Sequence, residues 1–239
     1  MKDFLDNVIA HAVEFDCINS VLLVPKKKSI SIATMTDKTI RMMGTTANVE
    51  LIDSPLCIGN VGYLSKLLLK LNTSRIEVEK GTSLEGMEVI KYIFLSNDNM
   101  TARYVATDPK IFKSGGVVDL SWSEPLILTP NSFELYKEAY DLYRMVDSDS
   151  KQVNFLFTGE DVILSFGEDS HNIDLIFTKS DKEMPDMLFR SDRLRSIMSL
   201  VYKDGGGMMY FNDKAMKVET TRDGVNYTYV LPKMTRSRM

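Results

Sequence analysis

The hydrophobic pattern of this 239-residue chain runs twice through the same order of elements, and that duplication restricts its fold more than any single motif. In residues 2–15, Phe4, Leu5, Val8, Ile9 and Ala12 recur at helical spacing, with Asn7, His11 and Glu14 on the opposite side. Short alternating strands follow at 21–24, around Ile30 and Ile32, and around Ile40 and Met42, then a strand over 49–58 that Pro55 interrupts. Asn60 is placed to cap a second helix over 61–71, whose Leu64, Leu67, Leu68 and Leu71 share a face opposite Lys66 and Lys70. Strands at 76–79, 87–95 and 102–106 close the first half.

The second half follows the same grammar. After a strand at 126–128, Thr129 caps and Pro130 opens a helix carrying Phe133, Tyr136, Tyr140 and Tyr143. Strands are expected at 153–157, 162–166 and 173–177, then a helix over 192–203 with Leu194, Ile197, Met198 and Val201 on its apolar face. Strands at 208–212, 215–220 and 226–231 end the pattern. Loop lengths differ and residue identity between the halves is low, so the repeat is one of structure. The fold class is α+β: two similar domains, 1–110 and 126–239, each an antiparallel sheet with two helices on one face. Residues 111–125 form the connector, with Ile111, Phe112, Val117, Val118, Leu120 and Trp122 too irregularly spaced for a helix. Those side chains either cover their own core or wall a docking groove.

Charge and side-chain chemistry then exclude several functions. Residues 1–112 carry 13 Lys/Arg against 13 Asp/Glu, and residues 113–239 carry 16 against 20, so a broad phosphate-gripping surface is absent and any hold on nucleic acid is loose or topological. Cys17 and Cys57 stand too far apart in sequence for a redox pair or metal knuckle and read as small hydrophobes of a reducing compartment, the cytoplasm. No apolar run approaches the ~18 residues of a membrane span. His11 and His171 have no partner at metal or triad spacing and read as solvated or locally hydrogen-bonded, and Gly205-Gly206-Gly207 reads as a hairpin turn rather than a phosphate loop. No catalytic residue, metal ligand or cofactor is assigned; the chain reads as a binding module rather than an enzyme.

Two stretches resemble the DNA sliding clamps. Tyr229-Val230-Leu231-Pro232-Lys233-Met234 is similar to the Tyr-x-x-Pro-Lys ending of proliferating cell nuclear antigen. Residues 33–40 (Ala-Thr-Met-Thr-Asp-Lys-Thr-Ile) resemble the strand-turn-strand of its first domain, where a methionine before the turn helps form a partner pocket. The layout as a whole resembles the clamps of T-even type bacteriophages, through Ile18-Asn19-Ser20, Gly62-Tyr63-Leu64 and Ala106-Thr107-Asp108-Pro109. The resemblance implies a polymerase processivity factor that closes head to tail into a homotrimeric ring around double-stranded DNA. It also implies a DNA polymerase and a clamp loader that bind through short peptide tails, and the host cytoplasm as compartment if the source is viral. Residues expected to face DNA are Lys66, Lys70, Lys137, Arg144, Arg193, Arg195 and Lys203. Those expected to line the peptide pocket are Met35, Ile40, Val117, Val118, Leu120, Tyr229, Leu231 and Pro232. The first helix of each half departs from the pattern, since Lys2 faces Asp3, Asp6 and Glu14, and Lys137 and Arg144 face Glu134, Glu138, Asp141 and Asp147. The alternatives are a monomeric DNA-binding polymerase accessory subunit and a structural scaffold.

Overall fold

The structure is a computed structural model, and it describes residues 1–35, 39–47, 49–50, 52–73, 75–112, 121–146, 151–168, 171–180 and 184–235. In chain order the elements are α1 (Lys2–Val13), β1 (Ser20–Pro25), β2 (Ser29–Met35), β3 (Arg41–Ala47), β4 (Leu56–Ile58), α2 (Val61–Leu71), β5 (Arg75–Thr82), β6 (Glu88–Ser96) and β7 (Thr101–Val105). A single 3-10 turn, Pro109–Ile111, comes next. The series continues with β8 (Leu126–Leu128), α3 (Pro130–Val146), β9 (Gln152–Phe157), β10 (Asp161–Glu168), β11 (His171–Lys179), β12 (Met187–Arg190), α4 (Ser191–Lys203), β13 (Gly207–Phe211), β14 (Ala215–Arg222) and β15 (Val225–Pro232).

The chain forms two compact units. One comprises Met1–Val118 with Thr221–Tyr227, the tip of the β14–β15 hairpin, and the other comprises Asp119–Thr220 with Thr228–Met239. Within the first, strands run in the order β4-β1-β2-β3 and β5-β6-β7; within the second, β11-β10-β9-β12 and β14-β13-β8. The pairs with described registers are antiparallel throughout. This is the expected α+β class, and the repeat is closer than the sequence suggests. In each unit a short strand precedes the second helix and pairs with the strand that follows the first helix, β4 with β1 and β12 with β9. β12 has no counterpart among the sequence-based strands, because Met187-Leu188-Phe189 is too short an apolar run to tell from the start of α4. The expected strand over 49–58 is correspondingly reduced to Leu56–Ile58, beyond Pro55.

Local rules account for the helix boundaries. Asn60 Oδ1 accepts from the Tyr63 backbone N–H at 2.9 Å, capping α2, and Asn72 ends it in the left-handed conformation at φ 41°. Pro130 opens α3, where the Thr129 and Ser132 side chains each accept from the other's backbone N–H, at 3.4 and 3.1 Å. The triple glycine is not a hairpin turn; it carries α4 into β13. Gly205 and Gly206 take φ 83° and 136°, and a side chain on Gly207 would come within 2.6 Å of the Glu219 carbonyl.

Gly59 is constrained as tightly. The Thr107 N–H donates to the Cys57 carbonyl at 2.9 Å, and a Cβ on Gly59 would run into Thr107 Oγ1. Gly59→Ala is therefore expected to cost roughly 2 kcal/mol of stability through forced displacement of this bridge. Urea unfolding checks it, and an unchanged midpoint would show that the 106–108 segment yields freely.

Asn7 and His11, on the side of α1 opposite its apolar stripe, do not face solvent, which overturns the solvated reading of His11. Both are buried. His11 stacks on the Tyr227 ring at 3.8 Å between centroids with 12° between planes. Asn7 Nδ2 donates to the Arg222 carbonyl at 3.0 Å and Asn7 Oδ1 accepts from the Tyr227 hydroxyl at 3.1 Å, so α1 buries a second, polar stripe against the hairpin tip. Periodicity marks the apolar stripe of a helix but not a polar one that meets matching hydrogen bonds.

Candidate nucleic-acid face and partner groove

The two helices of each unit lie side by side, α1 with α2 and α3 with α4. In α2, Val61, Leu64, Leu68 and Leu71 go into the core, which leaves Lys66 and Lys70 exposed. In α4, Leu194, Ile197, Met198, Leu200 and Val201 are buried, and Arg195 and Lys203 are exposed. Arg195 lies over the Tyr140 ring at 5.4 Å, on the side of α4 that meets α3. Lys137 is exposed and Arg144 half-buried on α3.

Arg193, like Arg144, is half-buried; it sits at the start of α4. There Arg190 holds Asp192 through two hydrogen bonds, at 3.0 and 2.6 Å, and Asp192 Oδ1 accepts from the Arg193 backbone N–H at 2.9 Å. Desolvation by itself would raise the Asp192 carboxyl; the Arg190 hydrogen bonds and charge, joined by Arg193, outweigh it and hold that carboxyl below its ordinary range. Arg193 thus belongs to the electrostatics of a helix start as much as to an outward face.

The residues expected to line a peptide pocket separate into three groups. Ile40, Tyr229 and Leu231 are core residues, at most 1% exposed. Pro232 is exposed. The side chain of Met35, and Val117, Val118 and Leu120 altogether, lie outside the described residues. β15 shows why an alternating strand misleads: Val225, Tyr227, Tyr229 and Leu231 all occupy its inward face.

A groove does form at the end of this strand, immediately beyond the residues expected to wall it. Pro232 has no N–H to continue the ladder. The Lys233 N–H instead donates to the Lys214 carbonyl and the Met234 N–H to the Leu188 carbonyl, both at 2.8 Å. Lys233–Met234 is thereby held between β12 and the Asn212–Lys214 turn, beside a groove of about 660 Å³. Leu188 and Met234 supply its apolar lining, Asn154 an amide, and Asp186, Asp213, Lys214 and Lys233 its charges. A second hollow of about 600 Å³, lined by Trp122, Met184 and Phe211, also reaches Asp213. Its wall is stiffened by Lys217, whose ammonium sits 5.3 Å from the Trp122 ring and 3.9 Å from the Tyr210 ring while pairing with Glu219 at 2.8 Å. The Tyr229–Met234 motif marks one segment of the groove, and no sequence signal joins it to the three others that line it.

Titratable chemistry is sparse by comparison. Burial pushes the Cys57 thiol up to about 11, with Asp108 adding to the shift, so this sulfur is protonated and unreactive at neutral pH. Among the described residues no three His, Cys, Asp or Glu side chains come together in a way that could hold a metal ion. Among the same residues no helix is long and apolar enough to cross a membrane.

No protein-family model matches the sequence, and no curated protein matches it. Solved structures do match the fold across nearly the whole chain. Proliferating cellular nuclear antigen from Entamoeba histolytica superposes with a TM-score of 0.68 at 13% identity, covering 98% of this chain and 96% of that one. The A. fulgidus PCNA bound to the C-terminal region of FEN-1 gives 0.69 at 13% identity, covering 99% and 97%. The DNA polymerase III beta chain of Streptococcus pneumoniae gives 0.69 at 11% identity, covering all of this chain and 64% of that one. The fold is that of the DNA sliding clamps.

Proposed function

We propose that this protein is a non-enzymatic DNA sliding clamp, which closes head to tail as a homotrimer around duplex DNA and tethers a DNA polymerase for processive synthesis. The observation that carries the reading is the clamp fold over nearly the full chain, built from two repeats whose second helices expose Lys66, Lys70, Arg195 and Lys203. In this reading 1–110 and 126–239 are the clamp domains, 111–125 connects them, and the exposed cations point at phosphates. The groove beside Lys233–Met234 takes the short peptide tail of the polymerase or of a clamp loader. The A. fulgidus PCNA, which shares this fold, is bound to the C-terminal region of FEN-1, and that supports a peptide tail as the ligand here. The phage-like layout of residues 18–20, 62–64 and 106–109 supports a bacteriophage replication protein acting in the host cytoplasm.

The decisive experiment is topological. Protein equilibrated with nicked circular duplex, at concentrations where ring and monomer exchange, is expected to stay with the DNA during gel filtration and to leave it once the circle is cut. Equal retention on cut and uncut DNA would overturn the ring. Lys66→Glu with Lys70→Glu and Lys203→Glu is expected to lower retained protein and processive synthesis by about ten-fold without loss of fold, since all three side chains are exposed. Unchanged processivity would assign these lysines to solvent alone.

A further inference from the structure

Each unit sets an acidic helix beside a basic one. On α1, Asp3 is exposed and Asp6 half-buried one turn away, against the single Lys2; neighbouring α2 exposes Lys66 and Lys70 and carries no acid. On α3, Glu134 and Glu138 are exposed and Asp141 half-buried, against Lys137 and Arg144; neighbouring α4 carries Arg193, Arg195 and Lys203 against Asp192 alone. The helix dipole accounts for Asp3, in the first turn of α1, but not for Asp6 or for the acids of α3. Glu134 and Glu138 are like charges one turn apart beyond the first turn of α3, where they gain nothing from the helix dipole. Burial raises the Asp6 carboxyl above its ordinary range; Lys2 offsets part of this and Asp3 adds to it. An acid with a raised folded-state pKa detracts from stability at neutral pH, and the loss is relieved as pH falls through that value.

We propose that α1 and α3 are acidic spacers, which repel the duplex between the basic stripes of α2 and α4 and so keep the protein's hold on DNA loose enough to slide. The proposal rests on the clamp reading above. Phosphates close to α2 or α4 gain a cation, whereas phosphates displaced by one helix toward α1 or α3 meet a carboxylate. Direct affinity is then small, and retention falls to the closed ring.

The test uses the full chain carrying Asp3→Asn, Asp6→Asn, Glu134→Gln and Glu138→Gln. Its control carries Glu79→Gln, Glu85→Gln, Asp98→Asn and Glu160→Gln, exposed acids outside the helices that change the net charge equally. Binding to a short linear duplex is measured across a salt series, and diffusion is followed on circular DNA. The spacer variant is expected to bind the linear duplex about ten-fold or more tightly, with a steeper salt dependence and slower diffusion, while the control stays near the parent. An unchanged spacer variant, or a control that gains as much, would overturn the proposal, the second outcome by reducing the effect to net charge. Circular dichroism reports folding, and if the four changes unfold the chain the Glu134→Gln, Glu138→Gln pair alone carries the same expectation at smaller amplitude. Failure of the clamp reading is separately visible, since the parent and control would then be retained no better on circular than on cut DNA.

Discussion

Ile176→Asp is expected to turn a trimer into monomers. Ile176 is 62% exposed on β11, which stands at the edge of its sheet, and α3, packed against that strand, exposes Met145 to 83% together with Leu142 and Val146. The first unit offers a matching arrangement. β7 is an edge strand exposing Val105, and α2 is joined to it by the Tyr63–Tyr104 stack and by the Asn60 N–H, which donates to the Tyr104 hydroxyl at 3.0 Å. Leu69 on that helix is 78% exposed.

An edge strand with apolar neighbours invites pairing, and two different edges on one chain satisfy each other by head-to-tail closure. A carboxylate placed in that contact costs about 3 kcal/mol at each interface, which weakens each by roughly two powers of ten. Sedimentation equilibrium should show trimer for the parent and monomer for Ile176→Asp, with far-UV circular dichroism unchanged because the side chain is exposed in the single chain. A variant that remains trimeric would remove β11 from the interface.

Leu188→Asp is expected to abolish partner binding at the groove beside Lys233–Met234. Leu188 and Met234 are the apolar side chains available there to an inserted hydrophobic anchor, and a few such contacts dominate peptide affinity. A charge in their place is expected to weaken the polymerase tail about 100-fold, or about 2.7 kcal/mol, and to remove stimulation of synthesis while trimer and fold persist. Titration of a tail peptide by calorimetry checks this, and parent-like affinity would place the site elsewhere. Leu231→Ala is a contrasting change: Leu231 is fully buried, so its loss is expected to cost about 3 kcal/mol of stability and to say nothing about peptide binding.

Much of the architecture is legible in the sequence itself. The leucine spacing of 61–71 with Asn60 ahead of it specifies a capped helix, and Thr129-Pro130 specifies the start of another, because both depend on interactions within a few residues. The duplicated order of these elements implied two similar α+β domains for the same reason. Their position opposite Leu64 and Leu68 puts Lys66 and Lys70 outside the core, and both are exposed.

What the sequence left open was which of two plausible faces each element buries. Alternation along 225–232 marks two sides of a strand, but only the sheet packing shows that Tyr229 and Leu231 lie inside and Pro232 outside. His11 and Asn7 looked like solvent residues until the hairpin tip supplied Tyr227 and the Arg222 carbonyl from more than two hundred residues away. The groove is of the same kind, assembled from β9, β12, the Asn212–Lys214 turn and the Lys233–Met234 segment. Local periodicity and capping are short-range and can be read from the chain. Burial of a polar stripe, and convergence of distant segments on one cavity, depend on long-range partners that only the tertiary structure brings together.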